Sequence, residues 1–144
     1  MIVDERRYRK VMTMLVADDP IQIGYISDLL QKNGFEVIAF DRPHDAISAA
    51  QQENEIELVI ADFRTPDIDE LEFIETIRKL CPGIPVIMLA AHATVEDYIK
   101  ALGLGVWELI HKPANDAEVI RIMKVIVSKT DNHISYCKAK QLPM

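Results

Sequence analysis

Five apolar runs of strand length alternate along this chain with five amphipathic helical stripes, and that alternation leaves few ways to fold. The runs cover residues 11–17, 35–40, 57–61, 85–89 and 106–110. Strand, helix, strand with short loops implies parallel pairing and right-handed crossovers. Runs that are apolar on both sides need helices over both faces of the sheet. The expectation is a three-layer doubly wound α/β domain.

Helix signals fall between the runs. Asp19 is placed to cap a first helix, with Pro20 at its first position and Gln22 completing a capping-box pattern. Ile23, Ile26, Leu29 and Leu30 form its apolar stripe, and Asn33-Gly34 ends it. A second helix spans 41–53, with Ala46, Ile47 and Ala50 inward. Asp69 and Glu72 form the capping pair of a third, lined by Leu71, Ile74, Ile77 and Leu80 and stopped by Cys81-Pro82-Gly83. Thr94 caps a fourth, with Val95, Tyr98, Ile99 and Leu102 as its apolar positions and Gly103 and Gly105 at its end. Asn115 and Glu118 cap a fifth, with Ala117, Ile120, Met123 and Ile126 or Val127 inward. All these stripes are expected to be core. Residues 1–8 read as a charged arm, 9–129 as the domain, and 130–144 as a polar tail or linker.

The bulk numbers close off several classes. A net charge of -7 argues against a nucleic-acid surface within these residues. No apolar run is long enough to cross a bilayer, and the first residues are too charged for a signal peptide. The expected setting is cytoplasmic, with no membrane partner. Cys81 and Cys137 stand far apart without metal-ligand spacing, so two reduced structural thiols are expected, with a disulfide as the alternative that nothing in the sequence supports.

Charge gathers at strand ends. The first run stops at Asp18-Asp19, the third at Asp62, and the fifth at His111-Lys112-Pro113. In a parallel sheet these ends share one edge, the edge where open α/β folds place chemistry. Each residue alone has an ordinary use: Asp62 as a turn former, Asp19 as a helix cap, Lys112 as a solvated lysine. Brought together, three carboxylates at roughly 4 Å would repel by several kcal/mol in a partly buried site. A lysine offsets part of that, and a hard divalent cation more. Magnesium takes oxygen ligands, commonly one or two carboxylates plus a phosphate. A magnesium-assisted phosphoryl site follows, with one carboxylate as nucleophile.

These residues, with Pro66 four after Asp62 and the strand at 85–89, make the chain resemble the response-regulator receiver domain of two-component signalling over roughly 9–129. The resemblance implies a flavodoxin-like fold with strand order 2-1-3-4-5. It implies that Asp62 accepts a phosphoryl group from a histidine kinase or phosphotransfer protein. It gives Asp18, Asp19, Asp62 and the backbone carbonyl of Arg64 to Mg2+, and Lys112 and the backbone of Ala91 to the phosphoryl group. It makes Pro113 the candidate for a cis peptide bond. It also suggests a homodimer through helix 4, strand 5 and helix 5. A signalling phosphoacceptor of this kind is not a turnover enzyme.

The sequence departs from the family at its switch positions. Ala90 stands where a small hydroxyl residue is usual, and Leu109 where an aromatic is usual. Thr65 replaces a usual methionine and Glu70 a usual glycine. Alanine has no hydroxyl to donate to a phosphoryl group. Phosphorylation is therefore expected to couple weakly or differently to the helix 4 face. His92 and His111 read as loop or surface histidines, although His92 stands near enough to influence phosphoryl hydrolysis. Tyr98 and Trp107 read as packing or partner-face residues. Two other functions remain open to the sequence: a pseudo-receiver that binds a protein without phosphorylation, and a magnesium-dependent phosphatase. The latter lacks a second acid at Arg64 and any cap insertion.

Overall fold

All six residues of the third strand are buried, because that strand lies in the middle of the sheet. The structure, a computed structural model, describes residues 10–52, 55–63, 68–129 and 137. Five strands alternate with five helices: β1 (Val11–Ala17), α1 (Pro20–Lys32), β2 (Phe35–Phe40), α2 (Pro43–Gln52), β3 (Leu58–Phe63), α3 (Ile68–Leu80), β4 (Val86–Ala90), α4 (Val95–Gly103), β5 (Glu108–His111) and α5 (Asp116–Lys129). The sheet is parallel, in the order β2-β1-β3-β4-β5. This is the expected flavodoxin-like doubly wound fold.

Side-chain alternation along the strands divides the core in two. Leu58 and Ile60 of β3 face Ile26 and Leu30 of α1 and Val119, Ile120, Met123 and Ile126 of α5. Val59, Ala61 and Phe63 face the other way, toward Ala46 and Ala50 of α2, Phe73, Ile74 and Ile77 of α3, and Ala101 of α4. Asp62, two past Ile60, therefore falls on the α1/α5 side. Thr13 and Asp62 are the buried polar residues among those described.

Several local expectations need correcting. β3 does not stop at Ala61: Asp62 pairs with Ala17 and Leu89, and Phe63 with Ala90. Phe63 is buried in the α2/α3 core, which draws the strand two residues further. α3 spans Ile68–Leu80, so Asp69 stands within the helix and not ahead of it. Asp19 does cap α1, accepting from the Ile21 amide at 3.0 Å, but the Gln22 side-chain oxygen accepts instead from Lys112. Ala117 is exposed; Val119 and Ile122 take the inward positions of α5.

The largest correction concerns α4. Its capping box forms as expected between Thr94 and Asp97. Its apolar stripe nevertheless faces outward, with Val95 78%, Ile99 63%, Leu102 45% and Tyr98 39% exposed. Ala101 is the residue that meets the sheet. Trp107, on the loop into β5, is also exposed. The expectation of two reduced thiols is corrected too. Cys81, at the end of α3, and Cys137 are joined as a disulfide, and both are buried. Their separation of 56 residues hid that proximity from the sequence.

Candidate functional site

The carboxyl ends of β1, β3 and β5 bring the charged residues together. β1 ends one residue before Asp18, and Asp19 then caps α1. β3 carries Asp62 beside Ala17 and Leu89. β5 ends at His111, and the Lys112 amide donates to the Ala90 carbonyl at 2.9 Å, which keeps the lysine beside the end of β4. The Lys112-Pro113 bond is cis, as expected. Asn115 then opens α5, its side-chain oxygen accepting from the Ala117 and Glu118 amides.

Lys112 reaches back over the sheet edge to Asp62. Its Nζ donates to Oδ1 at 2.9 Å and to Oδ2 at 3.1 Å, and a third bond of 3.1 Å goes to Gln22 Oε1. Asp62 is 2% exposed, whereas the Lys112 side chain is 25% exposed. Burial pushes the Asp62 carboxyl above the usual carboxylate range. The Lys112 hydrogen bond and charge pull against that shift, and the charges of Asp18 and Asp19 add to it.

Above this pair lies a polar cavity of about 150 Å³, lined by Asp18, Asp19, Gln22, Asp62, Ala91 and Lys112. Five of these six are residues that the sequence assigned to the site. Arg64, the sixth assigned group, lies outside the described residues. Among the described residues no three acidic, histidine or cysteine side chains form a preassembled cage. Magnesium keeps several waters and takes few protein carboxylates, and Asp18, Asp19 and Asp62 around one polar cavity are oxygen donors of that kind. The acidic donors are all oxygen, and burial, with a smaller contribution from the charges of Asp18 and Asp19, raises Asp62. The residues therefore fit a hydrated hard cation.

Two residues were not foreseen here. Gln22 was read only as a helix-capping group. Tyr25 went unremarked, yet its hydroxyl donates to Asp116 Oδ2, bridging α1 and α5. That bond raises the Tyr25 pKa, with smaller contributions from desolvation and the Asp116 charge. Below the lysine, an apolar cavity of about 70 Å³ lies between these helices, with Gln22, Tyr25 and Asp116 among its lining. His92 and His111 are exposed, in keeping with a loop or surface role. Ala90 is fully buried, and Leu109 is 5% exposed and packed in the core with Met88 and Val106.

A parallel sheet ordered 2-1-3-4-5, with a buried aspartate, a lysine and an acidic pair at one edge, has the architecture of a receiver domain. The chain belongs to the response regulator receiver domain family, whose model matches residues 13–124. It is 30% identical over 102 residues to the transcriptional regulatory protein GlrR of Escherichia coli, covering 71% of this chain and 23% of that protein. It is 33% identical over 127 residues to a CpxR homolog of Haemophilus influenzae, also a transcriptional regulatory protein, covering 85% and 54%. The chain thus spans about a quarter to about half of these relatives. A CheY-like receiver domain from Methanospirillum hungatei superimposes with a TM-score of 0.77 at 24% identity, over 83% of this chain and 95% of that one. No described helix is long and apolar enough to cross a membrane.

Proposed function

We propose that this chain is the phosphoacceptor of a two-component pathway, taking a phosphoryl group on Asp62 with Mg2+. The observation that carries this reading is the doubly hydrogen-bonded Asp62–Lys112 pair facing the acid-lined cavity. An Asp62 oxygen attacks phosphorus, the phosphorus–nitrogen bond of a phosphohistidine breaks, and the imidazole leaves with its electron pair and takes a proton. Lys112 follows the charge from the carboxylate to the phosphoryl oxygens. Asp18 and Asp19, with the Arg64 carbonyl, would hold Mg2+, which when bound neutralises charge on the transferring group. The Ala91 backbone, lining the same cavity, would donate to the phosphoryl group. The setting is cytoplasmic, and the donor is a histidine kinase or phosphotransfer protein. Residues 9–129 are the receiver unit, flanked by an arm at 1–8 and a linker or tail at 130–144.

Coupling to output is weak in this reading. Ala90 has no hydroxyl to follow the phosphoryl group. Leu109 is already packed inward, and exposing a leucine costs about 1.5–3 kcal/mol. The face of α4, β5 and α5 is then presented whether or not Asp62 is modified. Its exposed apolar residues on α4 support a partner there, and a homodimer is the arrangement we favour.

Incubation with Mg2+ and a small acyl-phosphate donor tests the reading by mass. A labile phosphoryl adduct that is lost in Asp62→Asn supports it. An unmodified chain points instead to a pseudo-receiver, and sustained turnover of a phosphorylated substrate to a phosphatase.

A further inference from the structure

An ammonium group has three protons to donate and nothing with which to accept. In Lys112 two of them go to the two oxygens of Asp62 and the third to Gln22 Oε1. Because lysine only donates, the Gln22 amide must present its oxygen, which fixes the amide's orientation. Gln22 stands on the first turn of α1, three residues after the capping Asp19. It lines both the polar cavity and the apolar one beneath it. One turn further along, Tyr25 bonds Asp116 in the first turn of α5. Helix α1 thus grips the lysine-bearing segment at two successive turns, once on the lysine itself and once on the helix that follows.

We infer that Gln22 is a positioning residue for phosphoryl transfer at Asp62. A lysine stem is long and flexible, and a bond at its tip selects one of many rotamers. With one ammonium proton held by Gln22, the other two stay aimed at the acceptor carboxylate. When an Asp62 oxygen becomes bonded to phosphorus it gives up its charge, and the phosphoryl oxygens become the stronger acceptors. The ammonium, anchored from the α1 side, remains within their reach instead of swinging to solvent. This matters more here than with a hydroxyl present, since Ala90 offers no donor. Among the described residues lining the polar cavity, Lys112 is the only cation.

The inference rests on the phosphoacceptor reading for its kinetic test, and a second readout keeps the two separable. Gln22→Met keeps length and volume but removes the acceptor, while Gln22→Glu keeps an acceptor oxygen. With acetyl phosphate and Mg2+, Gln22→Met should accept the phosphoryl group about tenfold more slowly, the scale of one hydrogen bond to a charged group. Gln22→Glu should recover most of that rate. In a Lys112→Met background, Gln22→Met should have no further effect. An unchanged rate in Gln22→Met, or equal slowing with and without the lysine, overturns the inference. If the wild-type chain takes no phosphoryl group, the phosphoacceptor reading fails, and the Lys112 ammonium signal in a nitrogen-15 spectrum decides the inference alone. Slow proton exchange in the wild type that is lost in Gln22→Met supports it, and equal exchange in both overturns it.

Discussion

Lys112 Nζ lies 2.9 Å from Asp62 Oδ1 and 3.1 Å from Oδ2, although the two residues are 50 positions apart in the chain. One partner is almost wholly buried and the other a quarter exposed. The pair is therefore asymmetric: the lysine is open to water, whereas the carboxylate is nearly closed to it.

Removing the carboxylate charge should stabilise the fold. The folded Asp62 carboxyl is held above its ordinary value of 3.8. Between that value and the raised one, the folded state keeps a proton that the unfolded state releases. Stability is thus fully present below the ordinary value and falls as pH rises through the window. Asp62→Asn should melt about 2–6 °C higher at pH 7. The advantage should shrink on acidification, as the wild-type carboxyl becomes neutral. A variant melting below wild type at pH 7 would show that the Lys112 bond outweighs burial.

Removing the lysine should do the opposite. Lys112→Met leaves a buried carboxylate without its cation, a change that costs about 3–5 kcal/mol in a fully buried pair. The partial exposure of Lys112 and the raised Asp62 pKa reduce this to about 1–3 kcal/mol. Chemical denaturation measures the loss, and a carboxyl carbon-13 titration should show Asp62 protonating at still higher pH than in wild type.

Restoring the family's switch groups should restore the switch. Ala90→Thr combined with Leu109→Tyr supplies a hydroxyl at the end of β4 and an aromatic in β5. Both positions are tightly packed, so a stability loss of about 1–3 kcal/mol is expected. The gain is in response: partner or self-association affinity should change more on phosphorylation than in wild type. Equal responses in both proteins would place the readout elsewhere.

The outward stripe of α4 should tolerate charge. Ile99→Glu and Leu102→Glu replace exposed residues, so each should change stability by less than about 0.5 kcal/mol. Sedimentation at rising concentration should show self-association weakened in both. A large melting loss would mean that the stripe is covered within the chain.

The alternation of strands and helices was legible because apolar runs broken by acids and a lysine have few other uses, whereas the strand order came with the family resemblance. The meeting of Asp62 with Lys112 needed the strand order as well as parallel pairing, since β4 lies between their strands. The length of β3 was not legible, since a buried Phe63 after an acid looks like the start of a loop. The α4 face misled for a plain reason. Val95, Tyr98, Ile99 and Leu102 repeat with helical spacing, and spacing shows that a face is apolar without showing what covers it. Gln22 was visible only as a capping residue, because its lysine partner lies 90 positions away. The disulfide was hidden likewise by sequence distance.

The convergence of Asp18, Asp19, Asp62 and Lys112 on one cation and one phosphoryl group is tested most directly with beryllofluoride, a phosphoryl mimic. Adding it with Mg2+ should shift the nuclear magnetic resonance signals of the Asp62 and Lys112 side chains and the Ala91 amide together, beyond any shift from Mg2+ alone, and beryllofluoride without Mg2+ should not. Signals that stay unmoved, or that shift equally in Asp62→Asn, would contradict the account.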